Sequence, residues 1–268
     1  MAFAAKKVSI VIPVFNESKT VEQLLNAVSK QSLPGDLSKE LVIVESNSTD
    51  GTRQLVQKFV TNFSSSEKTS VKLILQDKPS GKGYAVREGL ASITGDIVLI
   101  QDGDLEYDVA DYPLLIQPIL DGHADFVLGS RHLSAGSWKI RKFNNTTKAT
   151  ILNVGGVLFH VFFNITYGVK LTDPTTMYKV FRSECIKGVL FHAKRFDFDF
   201  ELVAKLIRLG YIPLEVPISY TSRGFEEGKK INILRDPFLW IYSILKYRFT
   251  RIERVPSAQR KNQLIAHH

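Results

Sequence analysis

The chain has 268 residues and a formal net charge of +8, with 44% hydrophobic and 23% charged residues. That length allows one large α/β domain or two small ones, and the composition excludes a collagen-like, coiled-coil or wholly disordered chain. The single cysteine, Cys185, excludes an intrachain disulfide, and the positive charge points to nucleic acid, phosphorylated small molecules or an anionic membrane as partners.

Five short apolar runs rich in β-branched residues predict buried strands in the first half of the chain. They lie at 8–14, 41–44, 71–75, 97–100 and 125–129. The stretches between them predict helices at 19–31, 50–62, 82–92 and 112–120. Unbroken apolar strands that alternate with helices indicate a mostly parallel sheet that is covered on both faces.

The second half of the chain is less regular. It predicts helices at 147–163 and 198–209, an extended piece at 213–217 and a last helix at 234–249. The run 151–169 is apolar, but polar residues and glycines interrupt it, so we expect a buried or interfacial helix and no membrane span.

We predict a single domain over 1–230, with a nucleotide-binding part at about 7–130 and an acceptor part at about 131–230. An amphipathic helix and a polar tail follow over 231–268. This helix mixes aromatic and basic residues, which suits a helix lying on an anionic membrane. The mixture equally suits a helix packed on the domain, with basic residues at its C-terminal end.

The position of the basic residues helps to choose between the possible partners. They cluster beside apolar or glycine-rich stretches at 138–142, at 227–230 and from 246 onward, which favours phosphate groups or a membrane surface. We expect no nucleic acid, because the sequence has no paired zinc ligands and no RNP-like aromatic run. No signal peptide is expected at 1–7, so the expected location is the cytoplasm or the cytoplasmic face of a membrane.

Polar clusters follow the five predicted strands at the point where each strand ends. They lie at 16–17, 45–49, 77–82, 102–106 and 130–131. In an open parallel sheet, ligands bind outside the carboxyl ends of the strands. The sequence therefore predicts one site to which all five clusters contribute.

The most informative cluster reads Asp-Gly-Asp-Leu-Glu at 102–106. Alternate side chains of an extended chain point to one side, so Asp102, Asp104 and Glu106 are expected to converge. Crowded carboxylates repel one another unless a cation lies among them, and oxygen ligands favour Mg²⁺ or Mn²⁺. Such an ion keeps positions open for the two phosphates of a nucleoside diphosphate. The alternative is a solvated acidic loop without a ligand.

Seven motifs in order resemble those of a known family. In the first half, the Ile-Pro-Val-Phe-Asn-Glu run at 12–17 and the segments 44–52, 81–89 and 102–104 are similar to the motifs of glycosyltransferase family 2. In the second half, the segments 128–131, 172–179 and 215–230 resemble a narrower group, the dolichyl- or polyprenyl-phosphate sugar transferases. The resemblance covers roughly residues 7–235.

The resemblance implies the GT-A fold, an α/β domain with one Rossmann-like, mostly parallel sheet flanked by helices. It also implies a metal-dependent enzyme that moves a hexose from a GDP- or UDP-linked sugar to a polyprenyl or dolichyl phosphate and inverts the anomeric carbon. Many members of the narrower group carry C-terminal membrane helices, and we expect none in this sequence.

The resemblance assigns the donor side of the site residue by residue. Pro13, Asn16, Glu17 and Glu45 are expected to line the pocket for the base and the ribose. Lys82 is expected to reach the diphosphate. Since a carboxylate accepts a hydrogen bond from uracil or from guanine, the identity of the base stays open.

The remaining assignments concern the metal, the acceptor and the closing of the site. Asp102, Asp104 and Glu106 are expected to hold Mg²⁺ or Mn²⁺, with Asp102 also on the donor. The other cations have two roles. Arg131 and Arg141 would bind the acceptor phosphate, and Arg223 and Lys230 would close over the donor diphosphate.

The need for a general base depends on the acceptor. A lipid phosphate is already an anion near pH 7, so Arg131 would only have to orient it. A sugar hydroxyl needs a base, for which Asp197, Asp199 and Glu201 are candidates on a run that alternates with phenylalanine and suggests an extended edge. The alternative is that Asp197 or Asp199 caps a helix.

Three other functions compete with this one. The first is transfer to a sugar hydroxyl in polysaccharide or lipopolysaccharide synthesis. The second is a nucleotidyltransferase, which the non-glycine opening loop at 12–17 disfavours. The third is an inactive scaffold that binds nucleotide sugars, which the complete set of three acids at 102–106 disfavours.

Overall fold

The computed structural model describes residues 4–135, 146–221 and 236–255. The strands are β1 (Lys7–Val14), β2 (Ser38–Glu45), β3 (Thr69–Leu75), β4 (Ile97–Ile100), β5 (Phe126–Ser130), β6 (Lys179–Arg182) and β7 (Leu214–Pro217). The α-helices are α1 (Val21–Lys30), α2 (Thr52–Asn62), α3 (Lys82–Ala91), α4 (Tyr112–Leu120), α5 (Arg131–Ala135), α6 (Thr146–Tyr167), α7 (Asp197–Arg208) and α8 (Asp236–Phe249). Short 3₁₀ helices lie at Val109–Asp111 and Ser183–Ile186.

The seven strands form one sheet in the order β3-β2-β1-β4-β6-β5-β7. All neighbouring strands are parallel except β6, which runs antiparallel between β4 and β5. This confirms the predicted α/β class and the mostly parallel sheet. The sequence does not predict β6, because its four residues are too short an apolar run and begin and end with basic residues.

Helices cover both faces of the sheet. Helices α1, α2 and α4 enclose one apolar core, and α3, α6, α7 and α8 enclose the other. Along β4, Ile97 and Leu99 belong to the first core, whereas Val98 and Ile100 belong to the second. Because alternate side chains enter different cores, the central strands read as unbroken apolar runs.

Strand β2 begins earlier than its apolar run predicts. Its first residues are polar, yet Lys39 and Glu40 are buried. Lys39 Nζ donates to the carbonyl oxygen of Val28 at 2.9 Å, and Glu40 accepts from the hydroxyl of Ser9 at 2.5 Å. Hydrogen bonds thus offset the cost of burying these side chains, and the strand extends to Ser38.

Helix α8 packs on the domain, as one of the two alternatives predicted. Ile244 and Tyr247 are buried in the core beside α6 and α7. Arg208 of α7 donates from Nη1 to the carbonyl oxygens of Tyr247 and Thr250, each at 2.6 Å, and so satisfies the C-terminal end of α8. The boundary predicted at residue 230 stays a prediction.

The antiparallel direction of β6 decides what enters the site. Lys179, its first residue, pairs with Ile100 at the end of β4 and with Leu128 of β5. The start of β6 therefore lies at the same edge of the sheet as the carboxyl ends of β1, β2, β4 and β5. The segment 172–179 is brought to that edge together with the predicted polar clusters.

Gly83, in the first turn of α3, provides a test of this packing. A Cβ there would lie 2.6 Å from Phe198 Cβ and 2.7 Å from the Arg195 carbonyl oxygen. We expect Gly83→Ala to lower the free energy of unfolding by about 1–3 kcal/mol, because the start of α7 would have to move. Urea unfolding measures this. The control is Gly155→Ala on α6, where a Cβ meets no atom within 4 Å. It should not destabilise, and equal losses in both variants would contradict the prediction.

Candidate active site

Hydrogen bonds join the loops that follow β1 and β2. The Asn16 N–H donates to Ser48 Oγ, and Asn16 Oδ1 accepts from the Thr49 N–H, both at 2.9 Å. The Glu17 N–H donates to Thr52 Oγ1 at 2.9 Å. Asn16 adopts a left-handed φ of 52°, which asparagine tolerates better than most residues. The two loops therefore form one continuous wall, on which Asn16 and Glu17 are partly exposed.

Asp50 adds to the same wall. Its carboxylate accepts from the Ser18 N–H at 3.0 Å and from the Thr52 hydroxyl at 2.6 Å. Burial acts against the charge, but hydrogen bonds from Thr52 and Ser18 outweigh it and lower the pKa of Asp50 to about 2. The carboxylate is therefore ionised at neutral pH and holds both loops.

Glu45, predicted to contact the base, is completely buried at the end of β2. Its oxygens accept from the backbone N–H groups of Asn47 and Ser48 at 3.2 and 2.7 Å and form an ion pair with Arg53. Glu45 thus holds the turn after β2 and has no surface to offer a ligand. Pro13 is also buried, and the predicted contacts of both residues with the base and ribose stay predictions.

The acidic cluster after β4 bends instead of continuing as an extended strand. Lys82 Nζ lies 2.5 Å from Asp102 Oδ1. Asp104 Oδ1 accepts from the Glu106 N–H at 3.1 Å, and Glu106 Oε2 accepts from the Tyr220 hydroxyl at 2.9 Å. In the described part of the chain, the carboxylate oxygens of Asp102, Asp104 and Glu106 do not all lie within 4.8 Å of one another. The expected convergence is therefore wrong for Glu106, which turns towards Tyr220.

A second ion pair lies beside Lys82 and Asp102. Lys179 Nζ is 3.1 Å from Asp199 Oδ1, and the lysine is completely buried. Burial acts against the charge of Lys82, but Asp102, Asp199 and Asp104 outweigh it and raise the pKa of its ammonium. Burial lowers the pKa of Lys179, against the attraction of Asp199. Two ammonium groups and three carboxylates thus meet at the carboxyl edge of the sheet.

Glu201, predicted as a general base, lies within α7 and not on an extended edge. Its carboxylate is completely buried and accepts from the backbone N–H groups of His192 and Ala193 at 2.9 and 2.8 Å. It also pairs with Lys205 at 2.6 Å. These contacts make Glu201 part of the core, and its predicted role in proton transfer stays a prediction. Of the three acids named for that role, Asp199 is the one that acts on Lys82.

Arg131 begins α5 directly after β5 and is held by Asp173. Its Nε and Nη2 lie 2.6 and 2.7 Å from the two carboxylate oxygens, and its backbone N–H donates to the same group at 3.1 Å. Burial acts against both charges, yet the partner outweighs it, so the pKa of Arg131 is raised and that of Asp173 is lowered. The guanidinium also lies 5.1 Å from the centre of the Tyr220 ring. Asp173 and Tyr220 therefore fix the orientation of Arg131, and its predicted role towards the acceptor stays a prediction.

Two histidines lie against this ion pair. Ligand atoms of His132, His160 and Asp173 all lie within 4.8 Å of one another, the kind of group that can hold a metal. Here, however, both oxygens of Asp173 already accept from Arg131, so a divalent cation would face a buried guanidinium. We therefore interpret the histidines as neighbours of an anion site. His160 Nε2 lies 3.4 Å from Thr175 Oγ1.

Sequence reasoning missed the groups that orient Arg131. Asp173 and Tyr220 stand within the motifs that carry the family resemblance, and His132 directly follows Arg131, which were the available signals. Only the fold brings His160 of α6 to the same place. Arg141, Arg223 and Lys230 lie outside the described residues, so their roles stay predictions.

Comparison with known proteins identifies the family of this chain. Residues 9–189 match the profile described as glycosyl transferase family 2, which is more than half of the chain. The chain belongs to glycosyltransferase family 2. It is a glycosyltransferase, as its motifs predict.

Two curated relatives of this family 2 enzyme agree with the narrower resemblance. Dolichol-phosphate mannosyltransferase of Pyrococcus furiosus is 29% identical over 245 residues, which are 90% of this chain and 64% of the relative. Glycosyltransferase AglJ of Haloferax volcanii is 24% identical over 230 residues, 85% of this chain and 68% of the relative. The chain thus spans about two thirds of the length of each relative.

A solved structure confirms the predicted GT-A fold. Glucosyl-3-phosphoglycerate synthase from Mycobacterium tuberculosis, in complex with Mn²⁺, UDP and glucosyl-3-phosphoglycerate, superposes with a TM-score of 0.62 at 20% identity. The superposition covers 91% of this chain and 80% of the synthase. At that identity the likeness concerns the fold alone. Within the three stretches described, no helix combines the length and the apolar character needed to cross a membrane.

The assignment of Glu201 to the core can be tested by substitution. Glu201→Gln leaves Lys205 buried without its counter-charge, so we expect the free energy of unfolding to fall by about 3–5 kcal/mol. Denaturant unfolding measures this. Glu184→Gln is the matched control, because Glu184 pairs with Lys187 on the surface at 3.3 Å. It should change stability by less than about 1 kcal/mol. A stable Glu201→Gln protein that has lost only turnover would restore the base role.

Proposed function

We propose that this glycosyltransferase moves a hexose from a GDP- or UDP-linked sugar to a polyprenyl or dolichyl phosphate, with a divalent metal ion and with inversion at the anomeric carbon. The observation that most supports the proposal is that two sides of helix α6 differ in character. One side of this helix contacts the Arg131–Asp173 ion pair through His160, and the same helix exposes an apolar stripe.

The stripe on α6 follows the period of the helix. Val154, Leu158, Val161 and Ile165 are spaced by four, three and four residues and are all exposed, Leu158 by 66% and Ile165 by 77%. Large apolar side chains in contiguous exposure mark a surface that binds a partner or a membrane. A lipid chain held there would keep its phosphate close to Arg131.

Helix α8 extends this surface. It packs beside α6, since the Tyr167 hydroxyl donates to the Ile244 carbonyl at 2.8 Å and Arg248 Nε donates to the Thr166 carbonyl at 3.0 Å. Tyr242 and Phe249 are exposed on it. Exposed Lys246, Arg248 and Arg251 supply positive charge. Apolar and basic side chains together suit an anionic membrane surface, so we place the enzyme peripherally on the cytoplasmic face of a membrane.

A phosphate acceptor is also compatible with the acidic residues of this site, because none of them has to act as a general base. An oxygen of the lipid phosphate forms the new bond to the anomeric carbon, the bond to the donor diphosphate breaks, and the nucleoside diphosphate leaves. This oxygen is already ionised, so the step needs no general base. Arg131, fixed by Asp173 and the Tyr220 ring, orients the phosphate and balances its charge.

The donor set at the end of β4 fits a hard divalent cation. Asp102 and Asp104 offer oxygen atoms, and the ammonium of Lys82 already lies against Asp102 as a stand-in cation. When bound, Mg²⁺ or Mn²⁺ supplies positive charge to the leaving diphosphate. The relative from Pyrococcus furiosus is named for dolichol phosphate, and the synthase of the same fold binds UDP with Mn²⁺, which supports the proposal without fixing the sugar or the base.

The alternative acceptor is a sugar hydroxyl in polysaccharide or lipopolysaccharide synthesis. Asp199 favours it, because this carboxylate acts on Lys82 and its side chain is 11% exposed, whereas Glu201 is completely buried. A base at Asp199 would first have to leave Lys179. A phosphate acceptor avoids that cost, so we rank it first.

Nucleotide binding is the first test of the proposal. We expect one of UDP and GDP to raise the melting temperature only when Mn²⁺ is present, with about 2.7 kcal/mol of stabilisation at 100 times its dissociation constant. Asp104→Asn should lose this effect because it removes a charged ligand of the ion. A thermal-shift panel that also includes CDP and dTDP measures it. No metal-dependent shift with any of the four would contradict the proposal and favour the inactive scaffold.

The acceptor is tested with vesicles of anionic lipid that contain polyprenyl phosphate. Fully burying one leucine or isoleucine side chain contributes about 1.5–3 kcal/mol. Leu158→Gln with Ile165→Gln should therefore weaken vesicle binding at least about tenfold and reduce sugar transfer into the lipid fraction. The nucleotide-dependent thermal shift should not change. Leu114→Gln, at a leucine of α4 that is 53% exposed on the opposite layer, is the control. Transfer to soluble sugars in the absence of lipid phosphate would favour the alternative acceptor.

A further inference from the structure

The ammonium of Lys82 lies where a divalent cation is expected. Its Nζ is 2.5 Å from Asp102 Oδ1, and the two side chains are only 17% and 16% exposed. Asp104 and Asp199 also act on the same charge. The ammonium therefore lies among three carboxylates, and such an environment also suits Mg²⁺ or Mn²⁺.

We propose that Lys82 is an internal counterion that competes with the divalent metal ion for Asp102 and, once displaced, binds the donor diphosphate. This rests on the proposed function and extends it, because it couples the binding of the metal to the binding of the nucleotide. A lysine that only binds phosphate would leave the affinity for the metal alone unchanged.

The ammonium of Lys82 is held less firmly than that of the neighbouring Lys179. Lys179 is completely buried and fixed by Asp199 and by the carbonyl oxygen of Thr176. Lys82 is the first residue of α3. Among the described residues, its ammonium contacts Met177 Sδ at 3.2 Å and the Phe196 ring at 5.9 Å besides Asp102, and Asp104 and Asp199 attract it. Four flexible methylene groups allow its ammonium to exchange Asp102 for a nearby anion.

The exchange makes metal and diphosphate cooperative. A metal ion that binds alone must separate Lys82 from Asp102 and leave the ammonium without a direct partner. When a diphosphate is present, the displaced ammonium gains a new anion. By linkage, each ligand then raises the affinity for the other by the same factor. The ion pair therefore disfavours binding of the metal without the donor.

The first experiment measures Mn²⁺ binding in the absence of nucleotide, by the electron paramagnetic resonance of free Mn²⁺. We expect Lys82→Gln to bind Mn²⁺ at least about fivefold more tightly than the wild type, and Lys82→Arg to stay close to the wild type. Lys78→Gln is the matched control, since it removes the same charge from an exposed lysine of the same loop. Equal or weaker binding by Lys82→Gln would overturn the proposal.

The second experiment uses inorganic pyrophosphate in metal-free buffer and isothermal titration calorimetry. Asp102→Asn frees Lys82, so this variant should bind pyrophosphate several-fold more tightly than the wild type, and Lys82→Gln should bind it more weakly. No gain in Asp102→Asn would overturn the proposal even if Lys82→Gln failed to fold. If the wild type shows metal-dependent nucleotide binding but both experiments give unchanged affinities, this inference fails while the proposed function stands.

Discussion

The antiparallel strand β6 is the constraint on which the site depends. It fills the place between β4 and β5, and its direction brings the segment 172–179 to the edge where the other strands end. Asp173 then meets Arg131, and Lys179 meets Asp199. A parallel strand at this place would carry the same residues to the opposite edge. The four residues of β6 therefore position both ion pairs of the candidate site.

Burial separates the charged pairs of this protein into two classes. An isolated charge in a protein interior is costly, and the buried cations Arg131, Lys179 and Lys205 each have a counter-charge. The pairs Glu201–Lys205 and Arg131–Asp173 are almost completely buried and make further hydrogen bonds, which holds them in place. The Lys82–Asp102 pair keeps a contact with solvent. Partial exposure lowers the cost of separating the pair, so it is the one that a ligand can exchange.

Much of the fold follows from the sequence, because periodicity is local. Strands buried on both faces read as apolar runs, and the rule that ligands bind at carboxyl ends places the site. The sequence does not show which residue each charged side chain contacts. Asp199 and Glu201 are close in sequence, but they are separated by about half a turn of α7. Glu201 therefore enters the core, whereas Asp199 faces Lys82. Likewise, Glu106 accepts a hydrogen bond from Tyr220, which is distant in sequence and follows β7.

Under the proposed function, the charge balance at the donor site favours a metal ion and a diphosphate that bind together. Asp102, Asp104 and Asp199 outnumber the ammonium groups of Lys82 and Lys179 by one. A nucleotide sugar alone would add negative charge to a site that already has an excess, and a divalent ion alone would reverse the sign. Only the two together return the site close to its starting balance. The partly exposed Lys82 is the group that we propose adjusts between these states, while the buried Lys179 keeps Asp199 in place.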